Sequence, residues 1–228
     1  MENENITTNN KPEVHLLSEG RMEKIENPQL QGAMGLHITT GLITYQKYGE
    51  NKAMVIDPGL VADYEKYKEK LENLNISHVL VTHFHQDHVQ ALAKFPQGTQ
   101  VFHYGQSSLL GSIEYGAKIY MEGFIEVPEI KFGLINNTHT KKDTIYIVDS
   151  ANEGVVAFTG DLAFSMFDSI PKAAQETFDL EASSRPRERI NVLRNFLQQH
   201  PEIEWFYLGH YHRKVSRAEL EKYLGEWP

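Results

Sequence analysis

The segment Thr82-His83-Phe84-His85-Gln86-Asp87-His88 packs three imidazoles and one carboxylate into six residues, directly after the apolar run Val79-Leu80-Val81. Imidazole and carboxylate are the ligands that zinc, iron and manganese accept, and the end of a buried strand offers the rigid support that coordination demands. As mere surface side chains the histidines would repel one another once protonated, so metal binding is the economical reading. Three more residues of the same kind stand where apolar stretches end. They are His139 in Asn137-Thr138-His139-Thr140, Asp161 in Phe158-Thr159-Gly160-Asp161, and His210 in Leu208-Gly209-His210. Gly160 and Gly209 allow tight turns that present a side chain at a sheet edge, as a site assembled from separate strands requires.

The elements that must position these residues are legible from periodicity. Strands are expected at Val14–Leu17, Leu36–Tyr45 and Ala53–Ile56, the last closing on the turn Asp57-Pro58-Gly59. Val61, Tyr64, Tyr67, Leu71 and Leu74 recur at helical spacing, which predicts an amphipathic helix with its apolar stripe in the core. A strand over 77–82 then delivers the histidine cluster, and a short helix containing Val89, Leu92 and Phe95 follows. Further strands are expected at 100–104, 130–135, 144–148, 154–159 and 205–208, and helices at 186–199 and 217–224. Residues 105–123 and 164–184 have no clear period, and their place beside the motifs makes them the expected pocket walls.

Composition narrows the function classes. The 228 residues suit one domain, expected over 13–228, with residues 1–12 as a disordered polar tail. No signal peptide or membrane span is expected, which places the protein in the cytosol. The absence of cysteine removes disulfides, thiolate metal sites and iron–sulfur clusters, so a metal must sit on His, Asp or Glu. The net charge of −9 opposes a broad electrostatic footprint on nucleic acid. Lys141, Lys142, Arg213 and Lys214 follow His139 and His210 in sequence, and would favour an anionic substrate if they rim the site.

In the order of these motifs the chain resembles the metallo-β-lactamase superfamily, with its His-x-His-x-Asp-His signature, a later His, an Asp after a strand, and a final His. The resemblance runs from Val14 to Lys214. It implies an α/β fold, a four-layer αββα sandwich with the site at one edge. It further implies two divalent metal ions, zinc before iron or manganese. His83, His85 and His139 would hold one, and Asp87, His88 and His210 the other, with Asp161 bridging them and Asp57 orienting a ligand or a loop. Three departures stand out: Asn137-Thr138 replaces the usual Pro-Gly, Gln90 replaces the Gly that commonly follows the signature, and Tyr211-His212 follows His210. His210 is expected in the site rather than His212, because Gly209 precedes it.

The implied reaction is hydrolysis by a bridging hydroxide, with Asp87 orienting it and moving a proton to the leaving atom. The expected substrate is a small molecule or RNA, anionic, cleaved at an ester, thioester, lactone or phosphodiester. The overall match is best to short single-domain members, some described as RNA-cleaving nucleases. Two alternatives remain: an iron persulfide dioxygenase-like oxidoreductase, which uses one ion on two His and one Asp, and a non-catalytic binding protein on the same scaffold.

Overall fold

A computed structural model of the chain describes residues 11–24, 34–97, 99–103, 118–120, 127, 129–136, 139–140, 142–163 and 186–225. In chain order the strands are β1 Glu13–Ser18, β2 Arg21–Lys24, β3 Met34–His37, β4 Thr40–Lys47 and β5 Glu50–Ile56. After them come β6 Ile76–Leu80, β7 Gln100–Phe102, β8 Lys118–Tyr120, β9 Ile130–Asn136, β10 Lys142–Ser150, β11 Gly154–Gly160, β12 Trp205–Leu208 and β13 Val215–Ser216. The helices are α1 Val61–Leu71, α2 Gln86–Val89, α3 Pro186–Gln199 and α4 Arg217–Gly225. Short 3-10 turns run over Gln90–Lys94 and Asp161–Ala163.

Two mixed sheets carry the fold. One has the order β1-β4-β5-β6-β7-β8 and the other β13-β12-β11-β10-β9, while β2 and β3 form a separate antiparallel pair. Strands β5 and β6 are parallel, as are β11 and β12. A parallel pair requires a crossover, and α1 and α3 supply these two.

The period-2 alternation of the strands explains the layering. Met54, Ile56, Leu80 and Phe102 of the first sheet meet Tyr146, Val148, Val156, Phe158 and Tyr207 of the second in one buried cluster. Their sequence neighbours point the other way. Ala53, Val55, Val79, Val81 and Val101 pack under Tyr67, Val89 and Leu92, whereas Ile145, Ile147, Ala157, Phe206 and Leu208 pack under α3 and α4. Both faces of each sheet are therefore covered, giving helix, sheet, sheet, helix. Each large side chain buried there contributes about 1.5–3 kcal/mol. No helix among the described residues is long and apolar enough to cross a membrane.

Three expectations need correction. The stretch 36–45 is two strands rather than one, because Thr39 N donates to Gly209 O at 2.7 Å instead of continuing a ladder. Leu74 lies beyond α1, which ends at Leu71 ahead of a left-handed Asn73 at φ 68°, although Leu74 still packs against the same layer. Within the expected tail, Pro12 accepts from Ala151 N at 2.8 Å and Lys11 pairs with Asp149 at 2.8 Å. The remainder of that tail lies outside the described residues. So do 105–117, 121–123 and 164–184 of the expected pocket walls, whereas 118–120 form β8.

Candidate metal centre

The candidate ligands converge at the edge where β5, β6, β11 and β12 end. His83, His85, Asp87 and His88 follow β6, Asp161 follows β11, His210 follows β12, and His139 lies between β9 and β10. The two sheets are tied together there. Thr144 N donates to Thr82 O at 2.8 Å, and the Tyr146 hydroxyl lies 2.9 Å from Val81 O and 3.0 Å from Phe102 O. These bonds fix the first-sheet ligands against those of the second sheet.

Two groups of side chains result, His83, His85, His139 and Asp161 in one and Asp87, His88, Asp161 and His210 in the other. Within each group the ligand atoms lie within 4.8 Å of one another. Asp161 belongs to both. Its Oδ2 is 3.3 Å from His139 Nε2 and 3.7 Å from His83 Nε2, while Oδ1 is 3.1 Å from His88 Nε2 and 3.4 Å from His210 Nε2. In the second group Asp87 Oδ2 is 3.2 Å from His210 Nε2, and in the first His139 Nε2 is 3.0 Å from His85 Nδ1. A tetrahedral ion with bonds of about 2.1 Å would space its ligand atoms about 3.4 Å apart, so the residues fit an ion in each group.

The imidazoles are oriented from behind. His83 Nδ1 faces the Thr82 hydroxyl at 3.1 Å, and that hydroxyl donates to Asp57 Oδ2 at 2.6 Å, so it must accept from His83. His88 Nδ1 donates to the same Asp57 oxygen at 2.9 Å, and His210 Nδ1 donates to the His37 carbonyl at 3.0 Å. Each ring thereby keeps its Nε2 lone pair for the centre, as a metal ligand requires. His83 Nε2 is buried without a hydrogen-bond partner, a costly state that a metal would relieve. Asp143 shapes the connection carrying His139 by accepting from Thr140 N at 3.0 Å and Thr140 Oγ1 at 2.9 Å.

The turns are equally specific. Gly160 has φ 51°, and a Cβ there would collide with the Thr82 side chain, whereas one on Gly209 would collide with Asp161 Oδ1. Asp57 itself adopts φ 45°, and the Tyr67 hydroxyl anchors its turn by donating to Pro58 O at 2.5 Å. Holding a non-glycine residue in this region costs about 1–3 kcal/mol, offset here by the three bonds that Asp57 accepts from Thr82 and His88.

Electrostatics show what the pocket calls for. Burial works against the charged form of Asp161, but His210 and His88 outweigh it and hold the carboxyl well below the ordinary range. Asp87 is lowered as well, burial being outweighed by the hydrogen bond from His210. Burial also opposes charge on His88 and His210, yet Asp161 and Asp57 raise His88 well above its usual value. Asp161 and Asp87 push His210 up to about 9. His83 goes the opposite way, driven down by burial and then by the neighbouring His88. Buried carboxylates here gather positive charge, which divalent cations would provide more strongly than protons.

All seven sequence-predicted ligands meet in this place. His210 is in the centre, while His212 is exposed and stands against Tyr211 with ring centres 4.7 Å apart. The expected cationic rim fares differently. Arg213 pairs with Glu219 at 2.9 Å, and Lys214 pairs with Glu153 while lying over the Trp205 ring, at the opposite end of β12 from His210. Lys141 and the Lys142 side chain lie outside the described residues. The sequence reading gave no role to Thr82, Asp143 or His37. Only Thr82 carried a signal, as a hydroxyl next to the first ligand.

The model of the metallo-beta-lactamase superfamily matches residues 34–210. Among solved structures, the chain is similar to the DIM-1 metallo-beta-lactamase exposed to ceftazidime, at 13% identity and a TM-score of 0.62, covering 94% of this chain and 96% of that one. It is also similar to B. thuringiensis AiiA with N-decanoyl-L-homoserine bound at the active site, at 13% identity and a TM-score of 0.56, covering 88% and 94%. A third is an N-acyl homoserine lactone hydrolase with its product at the catalytic metal center, at 13% identity and a TM-score of 0.52, covering 88% and 93%. No curated protein matches. Identities this low speak for a common fold, and the family match spans every candidate ligand from His83 to His210; the chain belongs to the metallo-beta-lactamase superfamily.

Proposed function

We propose that the protein is a metal-dependent hydrolase with a dinuclear site, zinc being the resident metal. The observation that carries this reading is Asp161, which turns one carboxylate oxygen toward each of two complete ligand groups. His83, His85 and His139 would hold one ion, Asp87, His88 and His210 the second, and Asp161 both. Divalent ions so bound lower the pKa of water from about 15.7 towards 7 and polarise a substrate oxygen.

The chain's own residues supply the rest. Asp87 is ionised and its side chain keeps 19% exposure, so it can orient an attacking water, accept its proton and hand that proton to the leaving atom. His85 is exposed and marks the side from which substrate enters. The buried His83, His88 and Asp161 exclude water from the floor of the site. With Arg213 and Lys214 engaged by glutamates, the reading favours a small ester, thioester or lactone over a polyanionic RNA. The ring-opened product N-hexanoyl-L-homoserine, bound at the catalytic metal center of a lactone hydrolase among the structural relatives, lends support to that choice.

The test is turnover. Protein reconstituted with zinc and assayed on homoserine lactones, thioesters, activated esters and RNA should hydrolyse at least one small substrate, lose activity to a chelator and regain it with zinc. Cleavage of RNA alone would contradict the small-substrate reading, and cleavage of none would contradict the hydrolase.

A further inference from the structure

His210 is held from a direction that none of the sequence motifs indicates. Its Nδ1 donates to the carbonyl of His37 at 3.0 Å, and the segment from His37 to Thr39 continues alongside Leu208-Gly209 as a bracket. Thr39 N donates to Gly209 O at 2.7 Å, Thr39 Oγ1 donates to Leu208 O at 2.7 Å, and Gly20 N donates to Thr39 Oγ1 at 3.2 Å. This bracket starts at the last residue of β3, His37, which pairs with Arg21 of β2, and crosses the gap to β4.

A side-chain pair adds a second hold, from α1. The His37 ring places Nδ1 2.8 and 2.9 Å from the two carboxylate oxygens of Asp63, in the first turn of α1. Asp63 also receives Lys66 Nζ at 2.9 Å, although its own side chain is only 1% exposed. Burying a carboxylate on the core face of a helix is costly, and an aliphatic residue would pack there at less expense. The arrangement makes sense if the carboxylate fixes something, and the group at the far end of His37 is His210.

We propose that the His37–Asp63 pair is a positioning device for His210, which sets the affinity of the ion held by Asp87, His88 and His210 separately from that of the ion held by His83, His85 and His139. The proposal rests on the dinuclear reading above. The bonds described for the bracket reach the His210 loop, whereas those that set the other group run through Thr82 and Asp143. Without Asp63 the His37 ring loses its tie to α1, the carbonyl is freer to move, and Nε2 of His210 is aimed less tightly. Loss of such an outer partner weakens metal binding by about 10–100-fold.

The experiment is a zinc titration of metal-depleted full-length protein against a chromophoric chelator, with circular dichroism and Tm of the metal-free chains recorded alongside. Wild type should show two binding steps. Asp63→Ala should keep one step unchanged and weaken the other about 10–100-fold, and Asp63→Leu, which fills the buried position without an acceptor for His37 Nδ1, should show the same selectivity if Asp63→Ala fails to fold. Equal weakening of both steps, or no change in either, overturns the positioning role. Fewer than two steps in wild type overturns the dinuclear reading itself, and wild type shows that before any variant is made.

Discussion

Asp57 and His88 are 31 positions apart in the chain and joined by a 2.9 Å hydrogen bond from the imidazole Nδ1 to the carboxylate Oδ2. The same oxygen accepts the Thr82 hydroxyl, which accepts from His83 in turn. One carboxylate in a left-handed turn therefore orients a histidine in each half of the centre.

Asp57→Asn should consequently weaken both ions rather than one. The amide cannot accept from Thr82 and His88 with both of its ends, and the expected loss in zinc affinity is about 10–100-fold for each step. Chelator competition reads this directly. Selective loss of a single step would show that the Thr82 relay to His83 does not operate.

Thr82→Val keeps the shape of the side chain and removes the hydroxyl between Asp57 and His83. Asp57 and His83 each lose a buried partner, so the metal-free protein should be destabilised by about 1–3 kcal/mol. Urea denaturation at fixed pH gives the value, and an unchanged midpoint would mean that the hydroxyl carries no weight.

Gly160→Ala meets two obstacles, a φ of 51° and the Thr82 side chain. The conformational part alone costs about 1–2 kcal/mol. Displacement of Asp161, the next residue, should also lower metal occupancy. The pair of effects is read from the denaturation midpoint and the bound metal, and a stable variant with full occupancy would contradict it.

His210→Ala and His212→Ala separate the two candidates for the last ligand. The first should lose one ion per chain and hydrolytic turnover, whereas the second, on an exposed ring, should keep both. Elemental analysis of the two variants decides, and the reverse result would exchange their roles.

Much of this centre could be read in the sequence, because ligands are rare residue types in short patterns at strand ends, and the helix over 186–199 and the strand over 205–208 fall where periodicity places them. What could not be read depends on partners distant in sequence. His37 acts on His210 through a backbone carbonyl, which leaves no trace in residue identity. Asp63 looks like an ordinary acidic residue at a helix start, and only the fold brings the His37 ring onto it. Lys214, one of the four residues of the expected cationic rim, lies elsewhere for a related reason. Proximity in sequence to His210 placed Lys214 near the centre, but β13 runs antiparallel to β12 and carries Lys214 away to Glu153.

A dinuclear centre bridged by Asp161 requires two metal ions per chain. Protein purified without added metal should carry close to two zinc ions per chain by elemental mass spectrometry, and Asp161→Ala should bring that number well below two. A single iron per chain, with zinc absent, would contradict the account and favour an iron oxygenase.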